Sequence, residues 1–355
     1  MIRSMARVVY LNNQSPRLSQ TLSVHFRAFS FSLLRKATHD FNVIHSHLVP
    51  RPKLTTSSSF NVPTQKHNFF SSQSDQSNSI IMSDKLIPSD PDHVMVIRNV
   101  TPNIATFSVP FSRFGKVKIG GRGTLVKLTS GGLAVFSPVA LTKASQTKVM
   151  EMGGDVRYIV ALDYEHHIFI SDWAKEYPSA KIIGPEGLPE KRAKATDDPK
   201  IGNEEFAVVF KKENKREIKI DPEFDADFDY EYVDGHANLE IVFLYKPERV
   251  LIQADLLFNL PPTEQYSKVP EAEVPGDGAV GKLFSCVQNP RGDTKWLQRF
   301  NWYVLAKNRD SFNDSMARIA EWDFTTMIPC HGDVLEGDGK EVFMKVFEWH
   351  LQGHK

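Results

Sequence analysis

The chain has 355 residues, 41% of them hydrophobic, with 43 Lys/Arg against 43 Asp/Glu, enough for one large domain or two ordinary ones with a real core. The balanced charge hides a split, since residues 1–82 hold 9 basic and 2 acidic side chains and the remaining 273 hold 34 and 41. The mildly acidic body argues against a nucleic-acid partner, the two cysteines (Cys286 and Cys330) allow neither a disulfide framework nor a Cys-rich structural zinc site, and no apolar run reaches the ~18–20 residues of a membrane helix, so no membrane partner is expected.

The N-terminal stretch reads separately from the rest. Arg3, Arg7, Arg17, Arg27, Arg35 and Lys36 precede the first carboxylate, Asp40, among frequent Ser and scattered Leu, Phe and Val. This is the composition of a mitochondrial transit peptide, and the Ser- and Thr-rich continuation offers too little apolar surface to offset the entropy of ordering. Residues 1–82 are therefore expected to be a disordered basic presequence and linker, with a domain over 90–355. The competing reading is a wrong start, with Met82-Ser83-Asp84-Lys85 as an ordinary cytosolic N-terminus; the protein would be mitochondrial in the first case and cytoplasmic in the second.

From Val94 onward, short apolar runs alternate with amphipathic stretches. Asn103 to Val109 alternates with period two, and Gly123 to Leu128 and Gly132 to Phe136 flank Thr129-Ser130-Gly131 as a hairpin. Leu141 to Met152 has helical spacing and stops at Gly153-Gly154. Val156 to Leu162 reads as a buried strand, Ile168 to Tyr177 as a helix stopped by Pro178, and Ala180 to Ile183 as the next strand. A second run of strands is expected at Phe206 to Phe210, Glu217 to Ile220, Phe228 to Val233, Leu239 to Tyr245 and Arg249 to Gln253. Pro261 to Gly292 reads as a long lid or binding loop. Helices at Trp296 to Lys307, Ser311 to Trp322 and Lys340 to Leu351 close the chain, with a strand at Thr326 to Pro329. Strands then helices, twice over, predict an α/β protein of two halves packed sheet to sheet.

Four separated pieces place metal-ligating side chains at the ends of such strands: His166-His167, Gly235-His236, Ala254-Asp255 and His331-Gly332-Asp333. Strand ends hold converging loops rigidly, which is what a site requires. Taken singly, a His-His pair is an ordinary loop feature and Asp255 an ordinary turn or N-cap residue. In series, they point to a metal site. A G-x-G at Gly121-Arg122-Gly123 opens a strand instead of ending one and fails the dinucleotide fingerprint, and neither a Walker loop nor a nucleophile elbow occurs.

The pieces Leu162-Asp163-Tyr164-Glu165-His166-His167, Gly235-His236, Ala254-Asp255 and Pro329-Cys330-His331-Gly332 resemble, in order and spacing, the metallo-β-lactamase fold superfamily over about Val94 to Gln352. More narrowly, they resemble a degenerate branch known as a domain of unknown function. The resemblance implies an αββα sandwich of two mixed sheets with helices on the outer faces. It also implies one divalent metal, zinc or alternatively iron, on His166, His167, Asp255 and His331. The family's first two histidines fall at Leu162 and Tyr164, so one of its two metal positions is broken. His236, left beside the broken position, is expected to act as a general base near neutral pH.

Asp163 and Glu165 are candidate substitute or supporting ligands, Tyr164 a possible oxyanion donor or a structural ring, and Asp333 a turn residue holding the His331 loop. Cys330 reads as a small buried side chain. The function implied is hydrolysis of a small ester, thioester, lactone or phosphoester through one metal-activated water, with a small-molecule substrate as the expected partner and the oligomeric state not set by the sequence. The alternative is a non-catalytic metal- or ligand-binding member of the fold. The N-terminal reading has a direct check: residues 1–60 fused to a reporter should direct it into mitochondria, and a cytosolic reporter would remove the transit-peptide assignment.

Overall fold

In the computed structural model the described residues are 90–113, 115–274, 276 and 278–353. The expectation for residues 1–82 lies outside them. The described chain enters through α1 (Pro91–Val94) and the strands β1 (Val96–Thr101) and β2 (Ile104–Val109); a small hairpin, β3 (Ser112–Arg113) and β4 (Val117–Lys118), leads to β5 (Gly121–Lys127) and β6 (Leu133–Phe136). Helix α2 (Lys143–Met152), β7 (Val156–Val160), α3 (Ile170–Glu176), β8 (Lys181–Pro185), α4 (Leu188–Lys194) and β9 (Val208–Phe210) follow. The second half comprises α5 (Pro222–Asp227), β10 (Phe228–Val233), β11 (Glu240–Tyr245), β12 (Val250–Ile252), α6 (Thr263–Tyr266), α7 (Ala279–Val287), α8 (Lys295–Phe300) with a π-helical continuation to Leu305, α9 (Arg309–Glu321), β13 (Thr326–Ile328), α10 (Gly339–Val346) and α11 (Glu348–Leu351).

Two mixed sheets result. The larger has the order β1-β2-β5-β6-β7-β8-β9, antiparallel from β1 to β6 and parallel from β6 to β9. The smaller has the order β10-β11-β12-β13, with only its last pairing parallel. Their packing is legible in β11, every residue of which is buried. Ile241, Phe243 and Tyr245 join Phe136, Tyr158 and Phe210 of the larger sheet in the central core, whereas Val242 and Leu244 join Phe312 and Met316 of α9 and Phe343 of α10 outside it. Period-two alternation thus feeds two apolar layers, which is why the strand reads as one continuous hydrophobic run. The opposite face of the larger sheet is covered by Val149 of α2, Ile170 and Trp173 of α3 and Leu188 of α4. Helix, sheet, sheet and helix are stacked in that order, as the resemblance implied.

Local chemistry fixes the helix boundaries. Thr142 and Ser145 form a reciprocal capping box at the start of α2, which stops at Gly153 with φ 133°. Asn308 caps α9 by accepting from the Ser311 backbone N–H.

Two expectations are corrected. Glu217 to Ile220 is not a strand: Ile218 and Ile220 pack on the central core, but the Ile218 carbonyl accepts from the Tyr230 hydroxyl at 3.1 Å instead of from a neighbouring strand. Alternation there reports burial without pairing. The expected Pro261–Gly292 loop contains α6, a single polar turn, and the nine-residue helix α7, both flanked in sequence by Pro and Gly. No helix of the described residues is long and apolar enough to cross a membrane.

Phe243 anchors the central core, with ring centroids 5.2 Å from Phe136, 5.8 Å from Phe224 and 5.8 Å from Tyr230. Phe243→Ala should cost about 3–5 kcal/mol of unfolding free energy in chemical denaturation; a loss under about 1 kcal/mol would contradict this packing.

Candidate metal centre

Three strand ends deliver the site. Beyond β7 the chain turns through Ala161-Leu162-Asp163, where the Leu162 carbonyl accepts from the Ile241 N–H at 2.6 Å and so ties the larger sheet to β11. Asp163 is buried, and its Oδ1 accepts from the backbone N–H groups of Glu165 (2.8 Å) and His166 (2.7 Å) and from His166 Nδ1 (2.9 Å). Asp255 follows β12; the buried Glu240 carboxylate accepts from its backbone N–H at 2.9 Å, and Asn238 Nδ2 donates to its Oδ2 at 2.6 Å. His331 follows β13, with Nδ1 bonded to the Gly120 carbonyl at 2.6 Å.

These anchors leave one atom of each side chain aimed at the others. His166 Nε2 lies 3.1 Å from His331 Nε2, His331 Nε2 lies 3.1 Å from Asp255 Oδ1, and His166 Nε2 lies 3.9 Å from Asp255 Oδ1. Each imidazole commits its Nδ1–H to an oxygen, so in the neutral tautomer each Nε2 presents a lone pair. Asp255 Oδ1 is buried without a hydrogen-bond partner. With both rings neutral, three acceptors converge with no donor among them, an unfavourable arrangement unless a proton or a metal ion sits between them.

Ligand atoms about 2.0–2.1 Å from a tetrahedral ion stand about 3.3–3.4 Å apart, close to the observed separations. The histidine anchors are also those of metal sites, where the second ring nitrogen donates to a carboxylate or a backbone carbonyl and fixes the tautomer. The residues present fit a divalent metal, and His166, Asp255 and His331 form a group of potential ligands whose atoms all lie within 4.8 Å of one another.

The electrostatics agree. Burial opposes charge on His166, but Asp163 and Asp255 outweigh it and push its pKa up to about 10. Burial raises Asp255 as well, yet His166 and His331 hold it below the usual carboxylate range. Positive charge is favoured at this point.

The structure brings together three of the four predicted ligands. His167 is the exception: Arg192 Nη1 stands 3.3 Å from its Nδ1 and donates to its backbone carbonyl at 2.7 Å. Burial, with Lys191 and Arg192 beside it, pushes the His167 pKa down to about 3. It lies outside the cluster because its ring is paired with a guanidinium. His236 also departs from expectation. Its Nδ1 accepts from the Asn238 N–H at 3.1 Å, so the neutral ring carries its proton on Nε2, which is buried without a partner. Burial lowers its pKa to about 4, so this imidazole presents a donor and not the expected base near neutral pH.

The remaining predicted residues take supporting places. Asp163 orients His166. Glu165 points to Lys191 Nζ at 3.1 Å, and the Lys191 ammonium lies 4.3 Å from the Tyr164 ring centroid, so neither reaches the three ligands. Asp333 Oδ1 accepts from the Glu264 N–H at 2.9 Å and its carbonyl from Asn259 Nδ2 at 2.9 Å, which ties the His331 loop to α6. Cys330 is buried, its thiol pushed up by burial.

Three contributors escaped the sequence reading. Arg122, fully buried, donates through Nη1 to the carbonyls of Pro329 (2.8 Å) and Gly332 (2.6 Å) on either side of His331. Glu240 holds the Asp255 backbone, and its carboxyl is raised well above its ordinary value by burial and by Asp163 and Asp255. Gly120 accepts the His331 proton at φ +70°, where an added Cβ would stand 2.0 Å from Gln265 Oε1. A charged residue at the head of the apolar run Ile241 to Leu244 was the one available signal, and it pointed to Glu240.

These shifts predict a pH profile for metal-free protein. His167 and His236, with lowered folded pKa values of about 3 and about 4 against an ordinary 6.5, contribute stability that is present above pH 6.5 and lost as pH falls toward those values. His166, raised to about 10, contributes stability that is full below pH 6.5 and lost as pH rises through about 10. Thermal midpoints of metal-free protein should therefore peak near pH 6.5, and bound metal should abolish the alkaline decline by taking the proton's place. A metal-free midpoint that rises steadily from pH 6.5 to 10 would contradict the geometry.

Residues 111–271 match the family model described as a domain of unknown function, DUF4336. Among curated proteins, none matches the sequence. Solved structures similar to the chain include the metallo-beta-lactamase DIM-1 exposed to ceftazidime, at 12% identity and TM-score 0.44 over 73% of this chain and 97% of that one. Another is the metallo-beta-lactamase from Pontibacter korlensis, at 10% identity and TM-score 0.45 over 72% and 98%. A third is the metal-soaked Flv1 flavodiiron core from Synechocystis sp. PCC6803, at 11% identity and TM-score 0.47 over 72% and 60%. The family match thus covers residues 111–271, and the chain's own sheet order and layers are those of an α/β sandwich of two mixed sheets.

Proposed function

We propose that this protein is a metal-dependent hydrolase that holds one divalent ion on His166, Asp255 and His331 and acts on a small ester, thioester, lactone or phosphoester. The observation that carries the reading is the number of ligands. Four protein ligands would fill a tetrahedral zinc, whereas three leave the fourth position open, which is the difference between a structural and a catalytic site. Two imidazoles and a carboxylate suit zinc and equally the three-ligand arrangement of non-haem iron. When bound, the ion would supply Lewis acidity at the open position.

The protein groups divide the remaining work. Asp163 and Gly120 hold the two imidazoles in the tautomer that presents Nε2. His236, with its proton on the buried Nε2, is a hydrogen-bond donor suited to developing negative charge on a substrate oxygen. The alternative, a non-catalytic binding member of the fold, is favoured by one observation: Leu162 is buried in the core and Tyr164 is packed under Lys191, so the positions of the family's first two histidines supply no ligand. Mitochondrial localisation through the basic N-terminal segment belongs to the same proposal.

Elemental analysis of protein purified without added metal should give close to one transition metal per chain. Asp255→Ala and His331→Ala should lose most of it, while His167→Ala retains it. Two metals per chain, or a His167→Ala variant as depleted as His331→Ala, would sink the three-ligand reading. His236→Ala with full metal should lower kcat on an active substrate by roughly 10²–10³, the scale of one lost oxyanion donor. Failure to turn over any ester, thioester, lactone or phosphoester with full metal present would instead favour the binding member.

A further inference from the structure

Helices α7 and α8 present an outward surface unlike the rest of the body. On the inner side Phe284 of α7 meets Phe300 of α8, with ring centroids 6.4 Å apart, and Phe258 at 6.3 Å. On the outer side Val280 and Leu283 of α7 are 61% and 60% exposed, and Trp296 of α8 and Tyr303 of its continuation are each 55% exposed. Those four are among the six exposed large hydrophobic residues of the described chain, gathered within 24 positions. Helical spacing places 280 and 283 on one stripe of α7, and Trp296 and Tyr303 are exposed aromatic residues of α8 and of its π-helical continuation.

Charge separates this surface from a simple apolar patch. Between Gly278 and Asn308 the sequence has Lys282, Arg291, Lys295, Arg299 and Lys307 against the single carboxylate Asp293, in a body where acidic residues outnumber basic ones. Arg291 is paired with Asp338; Lys282, Lys295 and Arg299 are exposed alongside the apolar residues. Arg299 lies over the Trp296 ring at 5.0 Å from its centroid. Aliphatic residues flanked by Trp, Tyr, Lys and Arg are the composition of a surface that lies in a bilayer interface, the apolar side chains entering the acyl boundary and the cations meeting anionic headgroups.

We propose that α7 and α8 form a docking face for an anionic lipid bilayer, a peripheral contact that needs no membrane-spanning helix. The chain's own N-terminal segment is a poor occupant because it carries 9 basic and 2 acidic residues and would meet like charge. The face adjoins the metal cluster through packed rings, Phe284 on Phe258 and Phe258 on His331 at 4.7 Å, which puts an amphiphile held in the bilayer close to the site. The proposal stands whether or not the site is catalytic.

The test is co-sedimentation of the full chain with vesicles of phosphatidylcholine alone or with phosphatidylglycerol added, at low and at physiological salt. The protein should bind the anionic vesicles, bind the neutral ones weakly, and be released as salt rises. The double variant Leu283→Ser/Trp296→Ser should bind anionic vesicles roughly tenfold more weakly with an unchanged thermal midpoint, because two exposed apolar anchors are lost. Its N-terminus is intact, so any binding by that segment would persist. If this variant fails to fold, Lys282→Glu/Lys295→Glu, which alters only exposed charges, should show the same loss. Vesicle binding that is absent, or equal in wild type and variants, overturns the proposal. So does concentration-dependent self-association in sizing chromatography that the double variant abolishes without any lipid binding, which would assign the face to a second copy of the chain.

Discussion

Three lone pairs point at one another in the interior of this protein, and much of the surrounding architecture maintains that arrangement. His166 Nε2, His331 Nε2 and Asp255 Oδ1 converge because each side chain is held from behind: by the Asp163 carboxylate, by the Gly120 carbonyl, and by Asn238 with Glu240. With neither a proton nor a metal between them, these atoms would repel one another in a low-dielectric setting. Affinity for a metal there would therefore depend on the groups that fix tautomer and orientation as much as on the ligands.

The sandwich explains how the three atoms meet. Asp255 and His331 follow β12 and β13, the one parallel pair of the smaller sheet, so both loops leave at the same end. His166 arrives from β7 of the other sheet, joined to β11 by the backbone bond from Ile241 to Leu162. Arg122 on β5 then reaches across to grip the carbonyls on either side of His331. A fully buried guanidinium is costly to desolvate unless its hydrogens are used, and here they bond to Ser108, Pro329, Gly332 and Glu264. Structural and site-forming roles coincide in this residue.

The side chains around the cluster limit what the site can be. Leu162 lies in the core and Tyr164 beneath Lys191, and with His167 drawn to Arg192 the group of potential ligands has three members. Three ligands would leave one position open on a tetrahedral ion, whereas the four-ligand set that the resemblance implies would not. The aromatic rings of Phe258 and Phe111, at 4.7 and 6.1 Å from His331, give the cluster an apolar wall that strengthens electrostatic interaction within it.

Sequence alone determined the alternation of strands and helices and the positions where strands hand over to loops. It also determined the order of potential ligands, because hydrophobic periodicity and residue chemistry are local properties. The β5–β6 hairpin, α2, β7 and β11 were legible for that reason. What remained hidden was relational. Adjacent histidines point to opposite surroundings, and only the packing of α4, which brings Arg192 to His167, decides that His166 faces Asp255 and His331. The single turn α6 and the helix α7 were masked by neighbouring Pro and Gly, and the alternation at Glu217 to Ile220 reported burial without a pairing partner. Arg122, Glu240 and Gly120 carry no motif; their roles exist only because residues as far apart as Gly120 and His331 are brought together, a distance in sequence that no local pattern encodes.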